Sequence, residues 1–285
     1  MAAGFAATWL RDLSRRFQRP SLLETLVGFV TNFFDTLGIG SFAPTTSIFR
    51  LKRLVPDEEI PGTLNVGHTL PVVVQAFIFV TIVQVDTTTL MVLIAASILG
   101  SVLGAGVVTR LPRRKIQLGM GIGLLAASVL YTLNNLDAMR GTPLFPGVDA
   151  IGLEPTLLAI AAVISFVLGA LLTLGIGYYA PCMIMVSLMG MTPRAAFPIM
   201  MGACAVLMPI ASARFVRALR YAPGPALGLT LGGIPAVLIA AYIVKELPLT
   251  WVRWLVVIVV LYAAQGLIRA GIREGLPAAG PPPAA

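Results

Sequence analysis

Apolar residues run along this chain in stretches whose length matches a bilayer. Polar clusters separate Leu22–Ile48, Thr63–Val83, Thr88–Thr109, Ile116–Leu133, Thr156–Met191, Phe197–Phe215, Pro225–Val244 and Thr250–Ile268. About 20 apolar residues make one helical crossing, so most of these stretches predict single transmembrane helices. The first and fifth differ. Each is interrupted by glycines, at Gly38-Ile39-Gly40 and at Gly175-Ile176-Gly177. Leu22–Ile48 is too short for two full crossings. It reads either as one broken helix that crosses once or as two half-helices that enter and leave on the same side.

The two interruptions are copies of one motif. Thr36-Leu37-Gly38-Ile39-Gly40-Ser41-Phe42-Ala43-Pro44 returns as Thr173-Leu174-Gly175-Ile176-Gly177-Tyr178-Tyr179-Ala180-Pro181, with seven of nine positions identical at an offset of 137. Pro61 falls on Pro198 at the same offset, and Leu111-Pro112 falls on Leu247-Pro248 after one slipped position. Three matches in the same order argue for two repeats, 22–137 and 154–270, within a single membrane domain spanning 1–285. Paired, interrupted apolar segments in two halves point to a binding site between them.

Loop charge chooses between the two readings of the break. With a re-entrant hairpin, the arginine-rich N-terminus, Arg50–Arg53 and Arg110–Lys115 all face the cytoplasm, as the excess of Lys and Arg in cytoplasmic loops requires. Sixteen of the twenty Lys and Arg residues then lie inside, leaving Arg140, Arg194, Lys245 and Arg253 outside. Both termini are cytoplasmic in this arrangement. A hairpin plus three crossings is an odd number, so the second repeat is inverted relative to the first. The expected fold is all-α and polytopic: two inverted repeats, each a re-entrant broken-helix hairpin followed by three transmembrane helices. Trp251 and Trp254 stand where interfacial anchors stand. Residues 5–19 predict an amphipathic helix on the membrane surface, with Phe5, Trp9, Leu13 and Phe17 along one face. No small-residue cleavage pattern follows it, so it is not read as a signal peptide. Residues 271–285 predict a disordered tail.

Composition agrees: 58% of residues are hydrophobic and only 11% charged, against about 25% charged in soluble proteins. The net charge of +8 belongs to cytoplasmic loops rather than to a nucleic-acid-binding face. Cys182 and Cys204 lie in apolar surroundings and read as packing residues. With one histidine and no Cys/His cluster, neither a metal site nor a cofactor is expected. No nucleophile–base constellation and no phosphate-binding Gly-Lys-Ser/Thr loop is present, so the chain is not expected to be an enzyme.

The candidate chemistry lies at the breaks. Glycine frees the helical backbone, and proline suits the start of a new helix. The half-helices opening at Gly38, Gly40, Ser41, Phe42, Ala43, Pro44 and Thr45 and at Gly175, Gly177, Tyr178, Tyr179, Ala180, Pro181 and Cys182 would present unpaired N–H groups and a partial positive charge. Two such ends facing each other suit an anion without any lysine. The competing reading is that the glycines only allow close helix packing. Thr36, Thr46 and Thr173 add hydroxyls nearby. Asp35 and His68 are ionisable and intramembrane, which marks them as coupling or gating residues together with Asn65. His68 reads either as a proton carrier or as a neutral ring hydrogen-bonded with Asn65. Gln75 is a candidate for a hydrogen bond across the same helix, and Pro71 and Pro209 for kinks.

These residues resemble the sulfite exporter TauE/SafE family of bacterial membrane permeases. The resemblance covers about residues 22–270 and rests on the duplicated Gly-rich break with Ala-Pro, on Gly100-Ser101-Val102-Leu103-Gly104-Ala105-Gly106, and on Leu111-Pro112 with Leu247-Pro248. Many members of that family carry a longer glycine run at the break, whereas here the runs are Gly-Ile-Gly-Ser-Phe and Gly-Ile-Gly-Tyr-Tyr. The resemblance implies an inner-membrane exporter of sulfite, sulfoacetate or a related small organosulfur anion. Protons are the expected coupling partner if there is one. The alternatives are a passive anion channel or facilitator of the same architecture, or a transporter of another small anion.

Overall fold

The structure, a computed structural model, describes residues 1–108, 112–140, 149–172 and 177–274. Gly175, with Thr173, Leu174 and Ile176, lies outside the described residues, as do Arg110, Leu111 and the tail from 275. Eleven α-helices are described: α1 (Ala2–Arg16), α2 (Leu22–Thr36), α3 (Phe42–Lys52), α4 (Ile60–Ile82), α5 (Thr87–Val108), α6 (Arg113–Met139), α7 (Pro155–Leu172), α8 (Tyr179–Leu188), α9 (Ala196–Arg217), α10 (Pro223–Glu246) and α11 (Leu249–Arg273). No strand is present among the described residues beyond an isolated bridge between Ala150 and Met191. Among the described residues six helices are long and apolar enough to cross a membrane: α4, α6, α7, α9 with the 3₁₀ turn before it, α10 and α11. The chain is a multi-pass membrane protein.

Local chemistry sets the helix ends near the breaks. A capping box starts α2: the Ser21 hydroxyl accepts from the Glu24 amide and the Glu24 carboxylate accepts from the Ser21 amide, satisfying two orphan donors at once. At the other end Gly38 and Gly40 take φ values of +94° and +89°, which side-chain-bearing residues rarely adopt. The chain turns there and α3 begins with Ser41 as its N-cap. Pro44 and Pro181 occupy the third position of α3 and α8, two residues later than the first position expected. Both still fall within the first turn, where the missing N–H breaks no helical bond.

Helices pack in crossed pairs. α2 lies along α10, α7 along α5, α6 along α11, and α4 against both α9 and α10. Glycine permits the closest of these approaches. A Cβ on Gly232 would lie 1.9 Å from Thr25 O, and one on Gly169 would lie 2.0 Å from Ser97 O. Larger residues there would force the backbones apart. The core is built around α8, where every residue from Ala180 to Ser187 is buried among α6, α7, α9 and α11. α3 is peripheral: only Thr45 and Phe49 are buried along it.

Contacts at the helix termini sort them to two ends. At one end a Cβ on Gly224 would meet Gln18, Tyr221 bonds Asp12, the Ala222 amide donates to Thr63 Oγ1 at 2.9 Å, and Phe49, Val55 and Ile60 share a cluster with Val27 and Ala222. The start of α2 and the end of α3 therefore lie together. At the other end the Asp86 amide donates to Ile151 O at 2.8 Å, Arg253 pairs with Asp149 at 2.8 Å, and the Ala150 amide donates to Gly190 O at 3.1 Å. The start of α7 and the end of α8 meet there.

Two expectations need correction. The amphipathic face of α1 covers protein rather than lipid: Phe5, Trp9 and Leu13 are buried against Val66, Val216, Tyr221 and Ala226, and Phe17, beyond the helix, is 65% exposed. A protein groove at the α9–α10 turn takes the apolar stripe that a surface helix would give to lipid. In addition, α11 continues through Arg273, three residues into the stretch expected to be tail, because Ile272 and Arg273 continue a helical pattern before the glycine and prolines begin.

Candidate functional site

The first break is organised by Asp35, which is 3% exposed. Its Oδ1 accepts from the Ser41 backbone amide at 2.7 Å and its Oδ2 from Gln75 Nε2 at 3.0 Å. Gln75 Nε2 also donates to Thr36 Oγ1 at 2.8 Å. The carboxylate thus spans the break, joining the end of α2 to the N-cap of α3 and to α4. The Ser41 hydroxyl is buried beside the same carboxyl and turned to it, while Gln75 Oε1 makes no hydrogen bond. The expectation that Gln75 bonds across its helix is met, with Asp35 and Thr36 as the partners.

His68 is fully buried in the same network. Its Nδ1 lies 3.1 Å from Asn32 Oδ1 and its Nε2 lies 3.2 Å from Thr45 Oγ1. Asn32 Nδ2 donates to Gly28 O at 2.7 Å, which fixes its oxygen as the atom facing the ring. Nδ1 therefore carries a proton. Thr45 Oγ1 also donates to Ser41 O at 2.7 Å, so its single proton is shared between the Ser41 carbonyl and His68 Nε2. The expected partner, Asn65, instead donates to Pro61 O on its own helix at 2.8 Å. It lies outside the network because its position on α4 turns it away from α2. Asn32 is the true partner, and the sequence holds a signal for it: a lone asparagine three residues before Asp35 in an apolar helix.

The start of α8 meets the first break. The Tyr179 hydroxyl approaches the Asp35 carboxyl and the Cys204 thiol. Tyr178 is buried, and its hydroxyl lies 2.6 Å from Ser97 Oγ on α5. Since Ser97 Oγ donates to Leu93 O, the phenol is the donor. A Cβ on Gly38 would lie 2.7 Å from Met183 Sδ on α8. Ala180, Pro181 and Cys182 are buried, while Phe42 is 39% exposed and Ala43 and Gly177 are exposed. The Phe42 ring lies 5.7 Å from that of His68. Thr46 donates to Phe42 O within α3 and is not part of the network. Cys182 and Cys204 are both buried and free.

The glycines divide between packing and opening. Gly38 is in contact with Met183, but a Cβ on Gly40 or Gly177 would meet nothing within 4 Å. Close packing therefore explains neither Gly40 nor Gly177: open space lies beside each break. No group of three His, Cys, Asp or Glu side chains that could hold a metal ion occurs among the described residues.

No family model, curated protein or solved structure matches the chain.

Proposed function

We propose that the protein is a secondary transporter of a small sulfur-containing anion, such as sulfite or an organosulfonate, held near the midplane between the two breaks and exported across a bacterial inner membrane. The observation that carries this reading is the meeting of the breaks. Two copies of one Gly-x-Gly…Ala-Pro motif, 137 residues apart in sequence, come together where Gly38 meets Met183 and Tyr179 approaches Asp35. Each ends in a helix start that offers backbone donors, with open space beside Gly40 and Gly177. Hydroxyl and N–H donors suit an oxyanion that must also be released.

Inverted repeats are supported by the exchanged pairing of helices. The first arm of each hairpin packs on the fourth helix of the other repeat, α2 on α10 and α7 on α5. The hairpins have their open ends at opposite ends of the bundle. On this reading both termini are cytoplasmic, Asp35 and His68 serve coupling or gating, and the sulfur-anion class follows from the resemblance. An inside-negative potential would drive such an anion outward.

Flux of sulfite into and out of proteoliposomes, with sulfate, sulfoacetate and chloride as competitors, tests it. Saturable sulfite flux that is accelerated by sulfite on the far side, and lost when Pro44 or Pro181 is replaced in a folded protein, is the expected result. Non-saturating flux without such exchange would make the protein a channel. No flux of any of these anions in folded, oriented protein would overturn the sulfur-anion assignment.

A further inference from the structure

The start of α3 is already bonded to an acidic side chain, and it belongs to the protein. The Ser41 amide, the donor that an α3 site would offer first, is bonded to Asp35 Oδ1 at 2.7 Å. A helix start with its unpaired N–H groups attracts one negative group, and here Asp35 reaches it from the last turn of α2. The second repeat has no such group, since Leu172 stands at the position equivalent to Asp35. Among the described residues, self-occupation of this kind occurs at the first break.

Two buried polar atoms around the carboxyl have unused capacity. Ser41 Oγ is at the N-cap of α3, caps no amide of that helix and is turned to the Asp35 carboxyl instead. Gln75 Oε1 accepts nothing. Buried polar atoms without partners are rare and call for a physical reason. With a sulfonate at the start of α3, the Ser41 hydroxyl and amide would both donate to it. With Asp35 protonated, its O–H would donate to Gln75 Oε1 once that amide turns over, in exchange for the bonds that Gln75 Nε2 makes to Asp35 and Thr36.

We infer that Asp35 is a tethered competitor for the first anion site: its carboxylate holds the start of α3 when the site is empty, and a substrate anion takes its place as Asp35 binds a proton. This rests on the anion-transport reading. The step balances without a co-reactant: a proton from water forms the Asp35 O–H, the Ser41 N–H···Oδ1 bond breaks, and a bond from the same N–H to a substrate oxygen replaces it. Like charges that share a buried site cannot both remain ionised, so anion and proton bind together. The other titratable groups around Asp35 are Tyr179 on α8 and Cys204 on α9. His68 on α4 reaches Ser41 O through Thr45 rather than the carboxyl. Among the described residues no salt bridge neutralises Asp35.

The test uses full-length protein in weakly buffered detergent solution and 2-hydroxyethanesulfonate, whose sulfonate does not titrate near neutrality. Wild-type protein is expected to take up a proton as it binds the anion, and its affinity to fall about tenfold per pH unit while Asp35 is charged in the empty site, as one-proton linkage requires. Asp35→Asn keeps the shape and is expected to bind the anion with no proton uptake and a flat pH profile. Ser41→Ala keeps the backbone amide and is expected to bind more weakly with the same proton count, which a merely structural role for Asp35 would not produce. Anion binding by the wild type without proton uptake, or unchanged uptake in Asp35→Asn, overturns the inference and leaves the transport reading standing. Absence of any anion binding by folded wild-type protein overturns both.

Discussion

Gly38 rests against Met183: a Cβ on Gly38 would lie 2.7 Å from the Met183 sulfur, so the turn of one broken element touches the second arm of the other. Two causes constrain Gly38, and they can be separated. The φ of +94° excludes a side chain whatever the space, whereas the Met183 end is flexible and can move aside. Backbone strain of this kind costs about 1–2 kcal/mol, and the clash costs less. Gly38→Ala is therefore expected to lower thermal stability and flux, and Gly38→Ala/Met183→Ala is expected to restore neither. Recovery in the double variant, measured by thermal unfolding in detergent and by sulfite flux, would show that contact rather than φ decides.

The exchanged helix pairs share a register as well as partners. Asn32 on α2 faces Gly233 on α10: a Cβ on Gly233 would lie 2.5 Å from Asn32 Nδ2. An offset of 137 carries Asn32 to Gly169, and an offset of 136 carries Ser97 to Gly233. Gly169 faces Ser97. The small residue has changed sides, but the crossing is at the same place. Gly169→Leu and Gly233→Leu are each expected to cost the protein its folded state, since overpacking a tight contact costs about 1–3 kcal/mol even where side chains can yield and backbone faces the new atoms at Gly169. Gly119→Leu, where a Cβ meets nothing within 4 Å, should be tolerated. Yield of monodisperse protein distinguishes these outcomes.

Much of the bundle was legible in the sequence because a bilayer imposes both length and composition. The crossings after the first break fell within a few residues of the observed helices, and the break itself lies where Gly38 and Gly40 stand. What sequence did not reveal was which polar side chains meet. Asn65 and Asn32 both sit in apolar helices, but only the pairing of α2 with α4 and α10 makes Asn32 the partner of His68. The cap on α3 was hidden for the same reason. Ser41 and Asp35 are six residues apart, a spacing with no helical meaning until the turn between them is known. Fate of the α1 stripe was undecidable from periodicity, since lipid and a protein groove accept the same pattern.

His68 joins three helices, and its removal leaves Asn32 Oδ1 buried without a partner, while Thr45 Oγ1 keeps only its bond to Ser41 O. An orphaned buried group costs about 1–3 kcal/mol. His68→Ala is accordingly expected to destabilise the protein strongly. His68→Gln, which can still bridge by hydrogen bonds, should restore most of the stability and retain the pH response of anion binding, because Asp35 rather than His68 is proposed to carry the proton. A flat pH profile in folded His68→Gln would move that role to the histidine.

Tyr178, the residue before α8, donates to Ser97 on α5 at 2.6 Å, tying the start of α8 to that helix. Tyr178→Phe removes one hydroxyl and leaves a serine oxygen that still donates to Leu93 O. The expected loss is about 0.5–1.5 kcal/mol, read as a small fall in thermal midpoint. A much larger loss of flux than of stability would show that the phenol touches the substrate.

Docking of α1 should depend on pH at both extremes. Asp12 accepts from Arg16 at 2.7 Å and from Tyr221, and Arg16 stacks over the Tyr221 ring at 5.3 Å. Burial pushes the Asp12 carboxyl up, but the bonds from Arg16 and Tyr221 and the charges of Arg16 and Arg15 outweigh it and hold it below the usual carboxylate range. A carboxyl depressed in the folded state adds stability above its unfolded value, about 3.9, and loses it as pH falls through the lower folded value. Tyr221 is raised by burial and by its bond to Asp12. Its contribution is present below the ordinary phenol value, about 10, and is lost as pH rises through the higher folded one. Docking should therefore be level between about pH 5 and pH 9 and weaken outside that range. Hydrogen exchange at the amides of Ala2–Arg16 measures it directly. Asp12→Asn is expected to raise exchange at neutral pH and to remove the acid limb, Tyr221→Phe to remove the alkaline limb, and Trp9→Ala to release α1 at every pH, since Trp9 is 2% exposed and truncating a buried tryptophan costs about 3–5 kcal/mol. Exchange unchanged in Trp9→Ala would mean that the helix is held by its polar contacts alone.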